Sequence, residues 1–258
     1  MSARLSLYIE RDSPLHRLNP LTKLTLALCL VLVDFLGPGY WLPTLLYLLV
    51  LIPLSMWGRV AGPFLRTTVR LLLPLVAFLF VMQSLFYPGG RTVIFAFWIF
   101  SVKLEGVQFA YLTATRIITM VGSFLLLLFS THPGALMADL NRRGVSPSLT
   151  YVIVSTLQII PEMRAKANTI VDAQRARGLE TGGSPLNRAR ALVPLVGPLV
   201  FGSLVDVEER AIALEARAFK AKRVKTSLIE IPDSPGQHSL RLALAALTLI
   251  LIGLGLWR

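Results

Sequence analysis

The residues best placed to do chemistry in this sequence are two arginines, Arg177 and Arg217, which lie in a short phrase that occurs twice. The phrase reads Ala-Gln-Arg-Ala-Arg-Gly where it ends at residue 178, and Ala-Leu-Glu-Ala-Arg-Ala where it ends at residue 218. A guanidinium is a rigid, permanently charged fork that binds a carboxylate or the carbonyls of a helix end through two parallel hydrogen bonds. Alanines leave space around that fork, so we interpret the phrases as paired contact points for acidic grooves on partners. The predicted contact residues are Ala176, Arg177, Gly178, Ala216, Arg217 and Ala218.

A second explanation of these arginines needs no partner. A basic residue in the last turn of a helix complements the helix dipole, and a basic tip can also contact anionic lipid. The interaction with the helix dipole or with lipid would be sufficient to explain a single Ala-Arg-Gly sequence. The recurrence of the phrase at the equivalent end of a second helix favours the partner-binding role.

Two long helices are predicted to carry the arginines. The first begins after Ser146-Pro147, is kinked at Pro161 and ends at Gly178, because glycine readily adopts the left-handed conformation of a C-cap. Its first half is apolar and its second half polar, which is the pattern of a helix that leaves a membrane interface for water.

The second long helix repeats this plan and suggests an internal repeat. Its apolar part is Leu192–Val205, with Pro194 and Pro198 in the opening turns. Ala218 stands where the first helix has a glycine, which leaves open whether this helix ends at the phrase or runs on toward Lys225. Small residues on both helices would allow the two to cross closely.

The composition indicates an integral membrane protein. Of 258 residues, 54% are hydrophobic and 16% charged, against about 25% charged in soluble domains, and the mean hydropathy is +0.66. The net charge of +12 does not indicate nucleic-acid binding, because no such motif is present and basic loops are typical of the cytoplasmic side of a membrane protein. The chain has no convincing signal peptide.

Five apolar runs are predicted to span the membrane. They are Leu21–Leu36, Tyr40–Trp57, Leu71–Tyr87, Gly106–Ser130 and Leu240–Trp257. The basic loops fall on one side if the N-terminus is cytoplasmic and the C-terminus outside. We therefore predict a membrane domain at 1–130, a cytoplasmic block at 131–238 and a final span at 239–258. The fold class is all-α, with about five transmembrane helices plus one short and two long crossing helices in the cytoplasmic block.

Three shorter stretches complete the prediction. Proline and asparagine punctuate Asp12–Pro20, so we expect a bent surface segment. Arg91–Phe100 is apolar but too short to cross, and is predicted as an interfacial hairpin or a short helix outside the membrane. Pro133–Gly144 reads as a short helix with proline at its start and glycine after its end.

No catalytic or metal-binding pattern is evident. The histidines are isolated, and Cys29, the single cysteine, lies in an apolar run and is interpreted as a small buried hydrophobe. The charges predicted to lie within the membrane are Asp34 and Arg116, which we expect to pair with each other. The chain is therefore predicted to be no enzyme, with neither a metal nor a cofactor of its own.

Three stretches resemble the T component of energy-coupling factor (ECF) transporters, which are ABC-type uptake systems for vitamins and metal ions. They are Asp12–Pro20 followed by Lys23, Ile160-Pro161-Glu162 leading to the first phrase, and the second phrase. The sequence departs from the family pattern at Asn19, where aspartate is expected, and at Ala218, where glycine is expected. The resemblance extends over essentially the whole chain.

The resemblance implies a coupling role in a prokaryotic cell (inner) membrane. A T component binds no ATP; it links two cytoplasmic ABC-type ATPases, one per arginine motif, to a substrate-binding membrane protein called the S component. Its two long helices act as coupling helices. We infer that their apolar faces contact the S component, the alternative being that they pack on the chain's own spans. The residues inferred for this surface are Val152, Ile153, Thr156, Ile160, Val196, Val200 and Leu204.

Three other functions fit the sequence less well. A conventional ABC permease is the nearest alternative, but it would carry a cytoplasmic Glu-Ala-Ala-x-x-x-Gly loop, which this sequence lacks. A membrane-embedded enzyme would need a nucleophile with a base, paired carboxylates or metal ligands at membrane depth. A membrane scaffold without ATPase partners would leave the repeated arginines unexplained.

Overall fold

The computed structural model describes residues 8–88, 92–97, 100–179, 184–219, 221 and 231–256. The chain divides into two compact units. The first unit consists of Met1–Arg143 and Ile229–Arg258, and the second unit is Gly144–Leu228. Apart from one short hairpin, the described elements are helices, so the all-α membrane-protein class is confirmed.

The elements follow one another in a simple order. They are α1 (Pro14–Arg17), α2 (Pro20–Leu36), α3 (Leu42–Leu46), a π-helical turn (Tyr47–Leu51), α4 (Ile52–Trp57), α5 (Ala61–Phe86), β1 (Val93–Phe97), β2 (Phe100–Lys103), α6 (Leu104–Ser130), α7 (Pro133–Arg142), α8 (Pro147–Ala176), α9 (Pro185–Ala216) and α10 (Pro235–Leu256). The strands β1 and β2 pair antiparallel, so the hairpin predicted for this stretch is confirmed for its described residues.

Proline and a capping side chain together set the starts of four helices. α1, α2, α7 and α8 each begin with proline, whose missing N–H is not needed in the first turn. The preceding residues, Ser13, Asn19, His132 and Ser146, each accept a hydrogen bond from the first turn. At α2, Oδ1 of Asn19 accepts from the N–H of Leu21 at 2.8 Å. Asparagine caps as well as aspartate, so the departure from the family pattern at residue 19 leaves this helix start intact.

The N-terminal segment is partly exposed and partly in the core of the first unit: Arg11, Asp12, Pro14 and Arg17 are exposed. Leu15 is 1% exposed and lies in the main apolar cluster. The other buried members of that cluster are Leu30, Leu51, Val60, Phe64, Leu125, Leu126 and Phe129. The predicted surface location holds for the exposed residues of this segment and fails for Leu15, because α1 turns that apolar side chain inward.

Buried polar groups attach this segment to the helices around it. Nζ of Lys23 donates to the carbonyl of Ser130, the last residue of α6, at 2.6 Å. A cation at a helix C-terminus is favourable because it compensates carbonyls that lack a helical partner. Nε2 of His16 donates to the carbonyl of Ile9 at 3.0 Å, and burial lowers the pKa of His16 below its ordinary value. The basic residue Lys23 thus serves as an internal anchor and not only as an orienting charge.

Three described helices are long and apolar enough to cross a membrane. They are Ala61–Phe86, Leu104–Ser130 and Pro235–Gly255. The other two predicted spans correspond to α2, which has 17 residues, and to the shorter apolar run Leu42–Trp57. That run contains the π-helical turn just before Pro53, which has no amide hydrogen for the regular ladder. Five crossings stay a prediction, and Trp257, the predicted end of the last span, lies outside the described residues.

Helices α5 and α6 pack with their backbones close together. A Cβ added at Gly106 would lie 2.6 Å from the carbonyl oxygen of Gln83 and 3.3 Å from Cα of Ser84. Such distances are far below van der Waals contact, so this approach requires glycine. The close packing of α5 on α6 therefore depends on one small residue near the start of α6.

The second unit consists of α8 and α9. α9 begins at Pro185, well before the predicted start at Leu192, so Pro194 and Pro198 lie inside the helix and not in its opening turns. The sequence at 186–192 is Leu-Asn-Arg-Ala-Arg-Ala-Leu, which contains good helix formers and continues the helix that Pro185 starts. The predicted domain boundaries at 130 and 239 are not tested here; by compactness, α7 and residues 231–238 belong with the first unit.

Candidate docking site

The first arginine phrase forms a complete helix C-cap. α8 ends at Ala176, Arg177 occupies the cap position and Gly178 has a φ of +91°. The N–H of Gly178 donates to the carbonyl of Arg175 at 2.9 Å, and the N–H of Leu179 donates to the carbonyl of Gln174 at 3.0 Å. This pair of bonds is the Schellman motif, and it turns the chain away directly after the arginine.

The second phrase forms the same cap without glycine. Ala218 has a φ of +53°, and its N–H donates to the carbonyl of Glu215 at 2.9 Å. The N–H of Phe219 donates to the carbonyl of Leu214 at 3.0 Å. α9 therefore ends at Ala216, at the second phrase, which settles the end of this helix that Ala218 had left open. Alanine tolerates the left-handed conformation here at a cost of about 1–2 kcal/mol, because two hydrogen bonds and the Phe219 ring hold it.

Both guanidinium groups lie at exposed tips. Arg177 and Arg217 are exposed, as are Ala176 and Ala216 beside them. Within the described part of the chain, neither arginine side chain has a hydrogen-bond or ion-pair partner. Neither guanidinium therefore hydrogen-bonds the last carbonyls of its own helix, and all its donors can bind an acceptor on another molecule.

Two reciprocal ion pairs join the helices where they pack. Lys166 of α8 pairs with Asp206 of α9, and Glu162 of α8 pairs with Arg210 of α9. Each helix thus carries an acid followed four residues later by a base, and the antiparallel direction brings acid to base twice. The hydroxyl of Ser203 donates to Sδ of Met163 at 3.7 Å beside them. We name these four charged residues the crossing pairs.

Sequence reasoning missed the crossing pairs, although a signal for them was present. The polar halves of both helices were recognised, but not the matching spacing of Glu162 with Lys166 and of Asp206 with Arg210. Residues four apart lie on one face of a helix. Two such faces of the same polarity complement each other only when the helices run antiparallel, which the sequence does not reveal.

The helices keep a second contact near the end of α9. The rings of Tyr151 and Phe219 lie 5.3 Å apart at an interplanar angle of 55°. Phe219 directly follows the left-handed Ala218 and is the residue whose N–H closes the cap. The packing of this ring therefore helps to set the conformation in which Arg217 is displayed.

The apolar faces inferred for a membrane partner are open in this structure. Val196 is 58% exposed and Leu204 is 60% exposed. Val152, Thr156, Ile160 and Val200 are exposed as well, and Ile153 is half-buried. α8 has no buried residue at all among those described. Within the second unit, α8 and α9 therefore leave these faces uncovered, which leaves room for another apolar surface on them.

The predicted intramembrane ion pair is not formed. Asp34 is buried, and neither of its carboxylate oxygens has a hydrogen-bond partner among the described residues. Arg116 instead donates from Nη2 to the carbonyl of Phe35 at 3.4 Å and lies 5.7 Å from the centre of the Phe35 ring. The carbonyl and ring of Phe35, next to Asp34, bind the guanidinium of Arg116 in place of the carboxylate. The positions of these residues in the sequence do not reveal that preference.

No described group of three or more His, Cys, Asp or Glu side chains is placed to hold a metal ion. The features that the described residues do provide are two displayed arginines, a fixed crossing of the helices that carry them, and open apolar faces on the same helices. Such an arrangement can bind acidic grooves at the tips and apolar surfaces along the shafts.

Comparison with known proteins connects these features to a family. The family model CbiQ, described as "Cobalt transport protein", matches residues 11–228. The chain is similar to the energy-coupling factor transporter transmembrane protein EcfT of Lactococcus lactis, with 26% identity over 255 residues and 95% of each chain covered. It is 31% identical over 226 residues to EcfT of Thermanaerovibrio acidaminovorans, covering 83% of this chain and 82% of that one. EcfT of Lacticaseibacillus paracasei is 30% identical over 226 residues, with 84% of each chain covered.

Proposed function

Because this chain belongs to the CbiQ family and is the transmembrane subunit of an energy-coupling factor transporter, we propose that it couples two cytoplasmic ABC-type ATPases to a substrate-binding S component. The chain itself binds no ATP and catalyses no reaction; hydrolysis belongs to the ATPase partners. The cargo is a vitamin or a transition-metal ion that the S component binds. The protein lies in the cell (inner) membrane of a prokaryote with its N-terminus inside and its C-terminus outside.

The observation that carries this proposal is the matched display of Arg177 and Arg217. Two helix ends of different sequence adopt one cap geometry, and each presents a guanidinium that has no partner in the described chain. Two identical displays suit two homologous grooves, one on each ATPase. A guanidinium fork in an acidic groove or against a helix C-terminus forms charge-assisted, bidentate hydrogen bonds.

The apolar faces of the same helices support the second half of the proposal. Val196, Val200 and Leu204 follow one another at helical spacing on α9 and are exposed. Val152, Thr156 and Ile160 do the same on α8. An S component that packs on these faces would be displaced when the ATPases move the helix tips, because both partners act on the same two rigid elements.

Charge reversal at the two tips tests the docking. We expect Arg177→Glu together with Arg217→Glu to abolish co-purification of the ATPase subunits, while membrane insertion and the S-component contact persist. Truncating one partner of a buried charged contact costs about 2–5 kcal/mol, and reversal adds repulsion. The measurement is affinity purification of the tagged chain co-expressed with the ATPases of its own genome, followed by quantification of each subunit.

Arg164→Glu is the matched control, because Arg164 is an exposed arginine of α8 without a partner among the described residues. This variant should retain both ATPases. Arg177→Lys with Arg217→Lys should retain them only in part, since an ammonium keeps the charge but not the fork. Normal ATPase recovery with the double Glu variant would show that the tips are not the docking points.

A further inference from the structure

The second unit joins the first at only two points of the chain, after Arg143 and before residue 229. Side chains of the first unit tie these two points together. Nη1 of Arg142 donates to the carbonyl of Ile231 at 3.0 Å, and Nη2 of Arg143 donates to Oδ2 of Asp233 at 2.6 Å. We call the residues before Gly144 the outgoing connection and the residues between the second unit and α10 the returning connection. Arg142 and Arg143, the last residues of the outgoing connection, therefore bond to Ile231 and Asp233 of the returning connection.

Asp233 is held from a second direction by α10. Nη2 of Arg241 donates to both carboxylate oxygens of Asp233, at 2.8 and 2.9 Å. The side chain of Arg241 is 8% exposed and that of Asp233 is 30% exposed, so water screens this pair only from the side of the acid. On the other side, Nε of Arg143 lies 3.6 Å from Oδ2 of the buried Asp139. Asp139, Arg143, Asp233 and Arg241 thus form an alternating chain of charges, which we name the junction cluster.

The N-terminal segment braces the returning connection from a third direction. The backbone N–H of Asn19 donates to Oε1 of Gln237 at 2.8 Å, and Nδ2 of Asn19 reaches the carbonyl of Pro232 at 3.5 Å. The hydroxyl of Thr22 donates to the same Gln237 oxygen at 3.4 Å. An aspartate at position 19 would lack the donor that faces Pro232. The returning connection is therefore attached to α7, α10 and the start of α2.

The charged state of Asp233 agrees with ion pairs that persist at neutral pH. The hydrogen bond from Arg241, supported by the charges of Arg241 and Arg143, holds the pKa of Asp233 below its ordinary value. Because its pKa is lowered, the Asp233 carboxylate is charged at neutral pH. Its contribution to the free energy of unfolding is lost only as the pH falls below the usual carboxyl range.

We propose that the junction cluster fastens both chain connections of the coupling helices into one rigid base, with Arg143 and Asp233 as the positioning residues. The inference rests on the proposed coupling function. If the two connections could separate, a displacement of the helix tips would move the connections apart and would not reach α7 and α10. Joined by Arg142, Arg143 and Asp233, the connections move together and pass the displacement to α7 and α10. The other role open to the cluster is general stabilisation of the first unit.

Distance measurements on the isolated chain test the fastening. With Cys29→Ser as background, spin labels at Asn141→Cys and Ser234→Cys report the separation of the two connections in lipid nanodiscs. We expect one narrow distance in the parent chain and its loss in Asp233→Asn, which removes the charge at nearly constant shape. Asp233→Glu restores the charge and should restore the narrow distance. Arg17→Gln is the control, because the side chains of its pair with Asp12 are 75% and 77% exposed.

The same labels in the complex with both ATPases test the purpose of the fastening. The parent complex should keep one label distance with and without ADP-vanadate, whereas Asp233→Asn should show different distances in the two states. A narrow distance in Asp233→Asn throughout, or separation of the connections in the parent complex, would overturn the proposal. Equal loss of thermal stability in Asp233→Asn and Asp233→Glu would assign the cluster to stability alone. Failure to capture any ATPase would contradict the proposed function instead, and the measurement on the isolated chain would still report the fastening.

Discussion

At the scale of single residues, Ala218 shows how hydrogen bonds override a conformational preference. An alanine with positive φ is disfavoured relative to glycine, yet both arginine phrases end in the same cap. The strain of the left-handed alanine is modest compared with the stabilisation that the cap provides. The cap satisfies two carbonyls of the last turn and allows Phe219 to pack on Tyr151. The display of Arg217 therefore does not require glycine, although glycine would ease it.

Exchange of the two cap residues tests this account. Ala218→Gly should stabilise the end of α9 by up to about 1 kcal/mol, because relief of the left-handed strain exceeds the greater freedom of glycine in the unfolded chain. Gly178→Ala should destabilise the end of α8, whose φ of +91° is less favourable still for alanine. Amide hydrogen exchange at Phe219 and Leu179 measures the two effects. Faster exchange at Phe219 in Ala218→Gly would contradict the prediction.

At the scale of elements, the crossing pairs orient α8 and α9 more than they stabilise them. All four side chains are at least partly exposed, with values from 31% for Asp206 to 54% for Glu162. Such pairs contribute about 0.2–1 kcal/mol each, which is too little to hold two helices of this length together. Their arrangement does, however, favour one antiparallel register, because a shift of either helix would bring like charges together.

Reversal and exchange of one pair test this orienting role. Lys166→Glu places an acid against Asp206 and should broaden the distance between spin labels at Asn168→Cys and Glu208→Cys, in the Cys29→Ser background. Adding Asp206→Lys restores opposite charges across the helices and should restore the single distance. Pulsed electron paramagnetic resonance provides the measurement, with Arg164→Glu as an exposed control on the same helix. A distance that stays narrow in Lys166→Glu would mean that the apolar contacts alone set the crossing.

At the scale of the whole molecule, the chain combines a membrane-embedded unit with an inserted pair of long helices. The first unit has its own apolar cluster, which includes Leu15 and Phe64, and its own buried polar bonds, including that from Lys23 to Ser130. The second unit has few buried side chains among those described and large exposed apolar faces. A unit of that kind gains stability from partners, which agrees with a subunit that works only in a complex.

Labelling from the two sides of the membrane tests the proposed topology. In the Cys29→Ser background, a membrane-impermeant maleimide should modify Pro88→Cys but not Asn168→Cys in intact spheroplasts, because the proposed topology places the first outside and the second in the cytoplasm. Both positions should react after permeabilisation, which controls for accessibility. Modification of Asn168→Cys before permeabilisation would place the arginine tips on the wrong side for ATPases.

Sequence reasoning succeeded where the signal is local. The two arginine tips, the long helices that carry them, the hairpin and the membrane class all follow from short patterns of apolar, small and charged residues. It failed where a residue's role depends on what packs against it. Leu15 was placed at the surface, α9 was started too late, and Asp34 was paired with an arginine that bonds elsewhere.

The amino-acid sequence by itself determined the type of protein and the placement of its two candidate arginines: apolar periodicity specifies helices in a membrane, and a repeated phrase at two helix ends specifies two exposed guanidinium groups. Only the tertiary structure decided that Ala218 takes the left-handed cap, that Glu162 and Lys166 meet Arg210 and Asp206, and that Arg143 and Asp233 join the two ends of the coupling segment. The physical reason is the separation along the chain over which each kind of interaction acts. Propensity and periodicity act over a few residues, whereas the ion pairs, and the packing of Phe219 on Tyr151 that supports the Ala218 cap, join residues tens of positions apart. Their energies exist only after the helices have packed.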